Sequence, residues 1–272
     1  MLASNDPRQN RILATVPATV YQRLLPHLKL VTLPLDQALF PRRGELQYVY
    51  FPTTSIVTSA YAIETGVSAK AWLVGNEGMV GISSFLGRSI RSNQAEVQIA
   101  GHAFRLAAHV LKSEFARGGA FQKILLRYVM ALITQASQLG VCSHHHALDQ
   151  RLCQFLLFGF DRMRTTELTL TQQRIARILG VRREGVTDAA GRLRAARVIH
   201  YSLRHVTLLN RQKLKARACA CYMVIKNEFD RTESNGLGKP TLREGRVTVL
   251  RCRSSPIERR CLRSSPQRRR RR

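Results

Sequence analysis

Acidic side chains are scarce in this sequence: 17 Asp and Glu stand against 44 Lys and Arg, which leaves a formal net charge of +27. That imbalance points to a polyanionic partner, with nucleic acid ahead of an anionic membrane surface. Long apolar runs are missing too. No stretch of about 18 uncharged apolar residues occurs, so no membrane span is expected. The richest segment, residues 124–141, is interrupted by Arg127, Gln135 and Gln138. Residues 1–11 are polar and no small-residue cleavage site follows an apolar core, so no secretory leader is expected. Cys142, Cys153, Cys219, Cys221, Cys252 and Cys261 show no repeating pair spacing. This argues against a disulfide scaffold and for free thiols in a reducing cytoplasm. No P-loop, Ser-His-Asp arrangement or zinc motif is recognisable, and no enzymatic activity is expected.

The apolar fraction, 44%, is enough to bury a core in a chain of 272 residues. Residues 10–27 have apolar side chains at helical spacing, ended by Pro26. Residues 30–106 change texture: short apolar or alternating runs at 30–35, 48–51, 56–63, 69–74, 79–85, 96–100 and 104–106 are punctuated by glycines. Such a series predicts an all-β barrel or double-sheet jelly roll with Trp72 in its core. Helical periodicity returns at 109–116 and over 121–143. In the second helix Leu125, Val129, Leu132, Ala136 and Leu139 alternate at spacings of four and three, the seam of a coiled coil. That seam suits either a core helix packed on its own barrel or a dimer helix. Further helices are expected at 148–164 and 213–229. The class is therefore α+β.

Residues 168–209 carry the function. Thr169 and Thr171 are good N-cap types ahead of a helix with Ile175, Ile178 and Leu179 on one face. Gly180 breaks it, and a second helix follows with Val186, Ala190 and Leu193 as its buried face. Two short helices joined by a tight glycine-containing turn form a helix-turn-helix. Arg182, Arg183, Glu184 and Thr187 occupy the start of the second helix, the part that meets base edges when such a helix enters a major groove. Arginine can donate two bonds to guanine O6 and N7, and Glu can accept from cytosine N4. Thr171, Gln172 and Gln173 can reach phosphates. The runs 198–201 and 205–209 read as a β wing, with His205 near the DNA backbone. Gly185 and Gly191 inside a helix suggest close packing or close backbone approach, because each costs about 1 kcal/mol relative to Ala.

The stretch Ile175-Ala176-Arg177-Ile178-Leu179-Gly180-Val181-Arg182-Arg183-Glu184-Gly185-Val186-Thr187 resembles the helix-turn-helix of the Crp/Fnr family of bacterial regulators. Gly191-Arg192-Leu193 and Val198-Ile199 resemble the end of its recognition helix and its first wing strand. Val49-Tyr50-Phe51-Pro52 and Val74-Gly75-Asn76-Glu77-Gly78-Met79-Val80-Gly81 are similar to the sensor barrel of one branch. The resemblance covers about residues 10–229. It implies an N-terminal helical arm (1–29), a cyclic-nucleotide-binding-like jelly roll (30–118), a dimerisation helix (119–147) and a winged helix-turn-helix domain (148–229). It also implies a cytoplasmic homodimer on two-fold symmetric double-stranded DNA, with Arg192 among the DNA contacts, RNA polymerase a further candidate partner and no membrane involved. Effector-pocket candidates are Gly78, Gly81, Ile82, Ser83, Arg91 and Ser92. The chain departs from members that bind cyclic AMP, because Ile82 follows Gly81 where an acidic residue is usual, so cyclic AMP is not expected. No cysteine precedes Cys142, so the iron–sulfur cluster of the oxygen-sensing members is not expected either. Asp188 stands where a later basic contact is usual, and Leu203-Arg204 replaces the usual Arg-Gly of the wing.

Residues 230–272 form a basic tail, expected to be disordered. From Thr232 onward it holds 13 basic and 3 acidic residues, leaving the body still at +17. It reads either as a non-specific nucleic-acid-binding extension or as a frame-shifted end without selected function. His144-His145-His146 and the Cys219/Cys221 pair are read as a polar helix end and as ordinary thiols, with no metal site. Two alternatives have a distinct basis: non-specific nucleic-acid binding driven by the tail, and a jelly-roll metal enzyme. The second requires a histidine cluster in the barrel, where His102 and His109 stand with only His27 nearby.

Overall fold

The computed structural model describes residues 6–40, 45–62, 68–87 and 93–234. The candidate effector residues Arg91 and Ser92, the Trp72 side chain and the tail beyond residue 234 lie outside the described part. The predicted helix over 10–27 is two helices, α1 (Arg11–Thr15) and α2 (Ala18–Leu24). Val16 breaks them with an extended backbone (ψ 134°), as expected of a residue that precedes a proline ring. Buried Asn10 ties this arm to the barrel. Its Oδ1 accepts from the Ile12 and Leu13 amides, while Nδ2 donates to the carbonyls of Pro52 (2.9 Å) and Gly78 (2.7 Å).

The barrel contains β1 (Lys29–Leu33), β2 (Tyr48–Pro52), β3 (Ile56–Ala62), β4 (Ser68–Val74), α3 (Ser83–Leu86), β5 (Asn93–Ile99) and β6 (Gly101–Ala107). Two antiparallel three-stranded sheets, ordered β1-β6-β2 and β4-β3-β5, hold these strands. Leu33 and Ala103 from the first sheet meet Val57, Val74 and Val97 from the second in one apolar cluster. The strand expected over 79–85 is not formed. Only Val80 pairs, with Tyr50, before Gly81 turns the chain at φ +109° and α3 begins.

Helix α4 (Ala108–Ala116) leads into α5 (Gly119–His145). Phe121, Ile124, Leu125, Tyr128 and Leu132 bury the inner face of α5 in the chain's own core, and the Tyr128 hydroxyl donates to the Met79 carbonyl (2.8 Å). The predicted dimer seam is thereby corrected. Leu125 and Leu132 are consumed within the subunit, and Val129, Ala136 and Leu139 are partly buried beside them. The open stripe lies one residue further on, at Leu126, Met130 and Ile133, with Val141 open near the helix end, each 44–55% exposed. By length and apolar content α5 resembles a membrane-spanning helix, yet one of its faces is packed against the barrel.

The C-terminal part comprises α6 (Leu148–Met163), β7 (Glu167–Thr169), α7 (Gln172–Leu179), α8 (Arg183–Ala195), β8 (Ile199–Ser202), β9 (His205–Leu208), α9 (Arg211–Arg217) and α10 (Cys221–Ser234). Strands β7, β9 and β8 form an antiparallel sheet in that order. The single helix expected over 213–229 is split at Ala218, whose backbone is extended. The break lets α10 fold back along α5 and bury Tyr222, Ile225 and Phe229 at helical spacing. Tertiary packing overrides local propensity here.

Candidate nucleic-acid interface

The two helices of the motif are held by local contacts that the residue types dictate. Thr171 caps α7, its Oγ1 accepting from the Arg174 amide (3.2 Å). Gly180 ends α7 in the left-handed conformation (φ +65°), and the Val181 amide returns to the Ala176 carbonyl (3.0 Å). Val186, Ala189, Ala190 and Leu193 are the buried face of α8. Gly185 is the close approach its sequence position suggested: a Cβ there would lie 2.9 Å from Leu148 Cδ2 on α6. Gly191 is not one, because a Cβ there would meet nothing within 4 Å. It faces open space.

Between the start of α7, the outer face of α8 and the wing runs an open cleft of about 850 Å³. It gathers Thr171, Gln172, Gln173, Arg183, Thr187 and His205, all named from sequence. The Thr187 hydroxyl donates to Gln172 Oε1 (2.8 Å), bridging the two helices across the cleft floor. The cleft also recruits Arg194, Tyr201, Leu203 and Arg204, which sequence reasoning missed. Arg194 lies three and four residues beyond Gly191 and Ala190, so helical periodicity could have placed it on their face. Arg204 depends on the wing turn. Among the described residues, Arg183, Arg194 and Arg204 have no ion-pair partner, so their charges are available to a polyanion.

Three residues named from sequence lie outside the cleft lining. Arg182 is the exposed N-cap of α8, and Glu184 is exposed in its first turn. Arg192 is engaged on α6 in this structure. Its guanidinium forks onto Asp149 of α6, with Nε 2.7 Å from Oδ2 and Nη2 2.5 Å from Oδ1. This hydrogen-bonded pair holds the Asp149 carboxyl below the usual carboxylate range and raises Arg192. Arg192 therefore braces α8 on α6 instead of projecting toward the cleft.

The wing is anchored from beneath. The Tyr201 hydroxyl donates to the Leu170 carbonyl (2.7 Å), and burial pushes that phenol up to about 12. The Leu170 amide in turn donates to the Arg204 carbonyl (2.7 Å). Ser202 pairs with His205, leaving a two-residue turn in which Leu203 has a positive φ (+43°) and is 91% exposed. A glycine-like conformation at a leucine is the structural consequence of Leu203-Arg204 in this wing.

The effector candidates separate. Ser83 lines a groove of about 540 Å³ on the barrel, together with Tyr48, Ser84, His109 and Lys112. Gly78 is instead packed under the Tyr128 ring, where a Cβ would lie 2.3 Å from the hydroxyl oxygen. Gly81 faces Val49, and Ile82 packs against the main core. Outside both cavities, Cys142, His146, Cys219 and Cys221 form a group with metal-ligating chemistry near the end of α5.

Residues 150–217 match the family model described as the Crp-like helix-turn-helix domain. The chain carries a Crp-like helix-turn-helix domain. No curated protein matches the sequence significantly. Solved structures extend the likeness through the barrel, at the level of fold. FixK2 from Bradyrhizobium japonicum is 18% identical with a TM-score of 0.57, covering 71% of this chain and 98% of its own. A Crp/Fnr-family transcriptional regulator from Thermus thermophilus is 18% identical with a TM-score of 0.52, covering 70% and 98%. The c-di-GMP-responsive global regulator CLP of Xanthomonas campestris is 14% identical with a TM-score of 0.53, covering 71% and 99%. The Crp-like domain thus follows a barrel and long helix in the Crp/Fnr arrangement.

Proposed function

We propose that this chain is a sequence-specific DNA-binding transcription regulator that acts as a homodimer in the cytoplasm. The observation that carries the reading is the cleft: Arg183 and Thr187 of α8, the α7 start and the basic wing turn converge on one open face. Helix α8 is the recognition helix, and Arg183 is its base-reading side chain. Thr171, Gln172 and Gln173 hold phosphates, with His205 and Arg204 following the backbone from the wing. The exposed stripe of α5 suits a second copy of α5. Leu126, Met130 and Ile133 continue through Ser137 and Gly140 at alternating spacings of four and three. A dimer built this way reads a palindrome. The effector is not cyclic AMP in this reading, because Ile82 stands where the acidic ribose partner is usual.

Selection of random double-stranded DNA by the full-length chain, at about 0.15 M salt, tests this directly. A palindromic consensus is expected. Binding that is sequence-independent and vanishes with added salt would overturn the reading in favour of tail-driven attachment.

A further inference from the structure

Four side chains remote in sequence converge where α5 ends. Cys142 lies on the last turn of α5, and His146, four residues on, is the helix C-cap, whose amide returns to the Cys142 carbonyl (3.1 Å). Cys219 lies in the turn after α9 and Cys221 is the first residue of α10, with Ala220 between them. Their ligand atoms all lie within 4.8 Å of one another. Cys142 Sγ is 3.5 Å from Cys219 Sγ, and Cys221 Sγ is 3.6 Å from His146 Nδ1. A tetrahedral zinc ion with Zn–S of about 2.3 Å and Zn–N of about 2.0–2.1 Å spaces its ligands by about 3.5–3.8 Å. These two separations are already edges of such a tetrahedron. Three thiolates and one imidazole are also a closed structural donor set, with no position left for a water or substrate.

Buried cysteines often act only as small apolar residues. A neighbour argues for more than packing here. Gln154 on α6 is 2% exposed, its Oε1 is 3.2 Å from Cys142 Sγ, and its Nε2 has no hydrogen-bond partner. The two ends of an amide exchange by a half-turn of the terminal bond. Turned over, Gln154 donates an N–H to the sulfur of Cys142, an arrangement that suits a thiolate better than a thiol, whose sulfur accepts only weakly. Metal-bound sulfur is a thiolate, and such supporting donors accompany metal ligands.

We infer that Cys142, His146, Cys219 and Cys221 bind one zinc ion, which fastens the α5–α6 junction to the start of α10. His146 is the C-cap of α5 and Ala147 the N-cap of α6. The ion therefore clamps the only two residues between the long helix and the DNA-binding half. Ligand thiols lose their protons on binding, so the ion is released on acidification.

The full-length chain, purified reduced, is tested by elemental analysis and zinc-edge X-ray absorption. One zinc per chain with a shell of three sulfurs and one nitrogen is expected. Cobalt(II) loaded after chelation is expected to give thiolate-to-metal charge-transfer and tetrahedral d–d bands. Cys219→Ser should abolish those bands, whereas Cys153→Ser and the double change Cys252→Ser/Cys261→Ser should keep them. A reduced, folded chain that takes up neither metal overturns the inference, and so does a shell of nitrogen and oxygen alone. Because the absorption shell is read on the unaltered chain, a poorly folding variant leaves the test intact.

Discussion

Glu77 and Arg162 form a buried ion pair, with Nε 2.9 Å from Oε1 and side chains 3% and 4% exposed. Glu77 belongs to the barrel turn after β4, and its carboxylate also accepts from the Gly75 amide. Arg162 belongs to α6, with its guanidinium near the rings of Phe158 (5.0 Å) and Phe229 (5.7 Å). Barrel, Crp-like domain and α10 thus share one charged knot. Arg162→Met strands the carboxylate, and a loss of about 3–5 kcal/mol is expected. Glu77→Gln combined with Arg162→Met should recover much of it. Urea unfolding of the two single variants and the double variant measures the coupling, and simple additivity would contradict the knot.

The two stripes of α5 make opposite predictions. Ile133→Glu leaves the internal core intact and places a charge on the exposed stripe, so sedimentation should show monomers of near-native stability. Leu132→Ala opens a cavity against the barrel and should cost about 2–5 kcal/mol while the dimer persists. The reverse pattern would restore the seam first read from sequence.

Arg183 and Arg192 are both expected DNA contacts from sequence and are not equivalent in the fold: Arg183 lines the cleft and Arg192 pairs with Asp149. Arg183→Ala should cost about 1–3 kcal/mol on the specific site and relax preference at one base position. Arg192→Ala should leave base preference unchanged and act through the lost brace to Asp149. Binding titrations on the specific site and on single-base variants separate the two outcomes.

The helix-turn-helix was legible because its determinants are local: a Thr cap, a glycine stop and two short apolar periodicities. The faces of α5 were not. Leu125-Leu126, Val129-Met130 and Leu132-Ile133 are adjacent apolar pairs, so two parallel stripes about 100° apart fit the same spacing. Only the position of the barrel decides which one is buried. The Arg192 brace was hidden for a similar reason, since its partner Asp149 is distant in sequence. The segment 79–85 read as a strand from its apolar content, yet Gly81 and the Ser84 hydroxyl bonded to the Gly81 carbonyl (2.8 Å) start a helix. The Cys142–Cys221 grouping was hidden because its two halves, at the end of α5 and around the start of α10, stand 75–77 residues apart in sequence.

Three carboxylates carry a pH signature. Arg23 beside Glu114, Arg174 beside Asp36 and Arg192 beside Asp149 each hold a carboxyl below its ordinary value through a hydrogen-bonded pair. A depressed carboxyl contributes stability that is present above its unfolded value, about 3.9–4.3, and is lost as pH falls through the folded one. Thermal scans should therefore show little change in Tm from these groups between about pH 7 and 5 and a decline below about pH 4. The decline should be modest, because the arginines or carboxylates of these pairs reach solvent and are screened there, with Glu114 the most buried of the three carboxylates. A Tm that rises on acidification below pH 4 would contradict these pairings.

Hydroxyl-radical footprinting of the full-length chain on its selected site tests the dimeric, sequence-reading mode most directly. Two protected patches about one helical turn, roughly 34 Å, apart are expected, both weakened by Arg183→Ala. A single patch, or diffuse protection that is indifferent to Arg183, would contradict it.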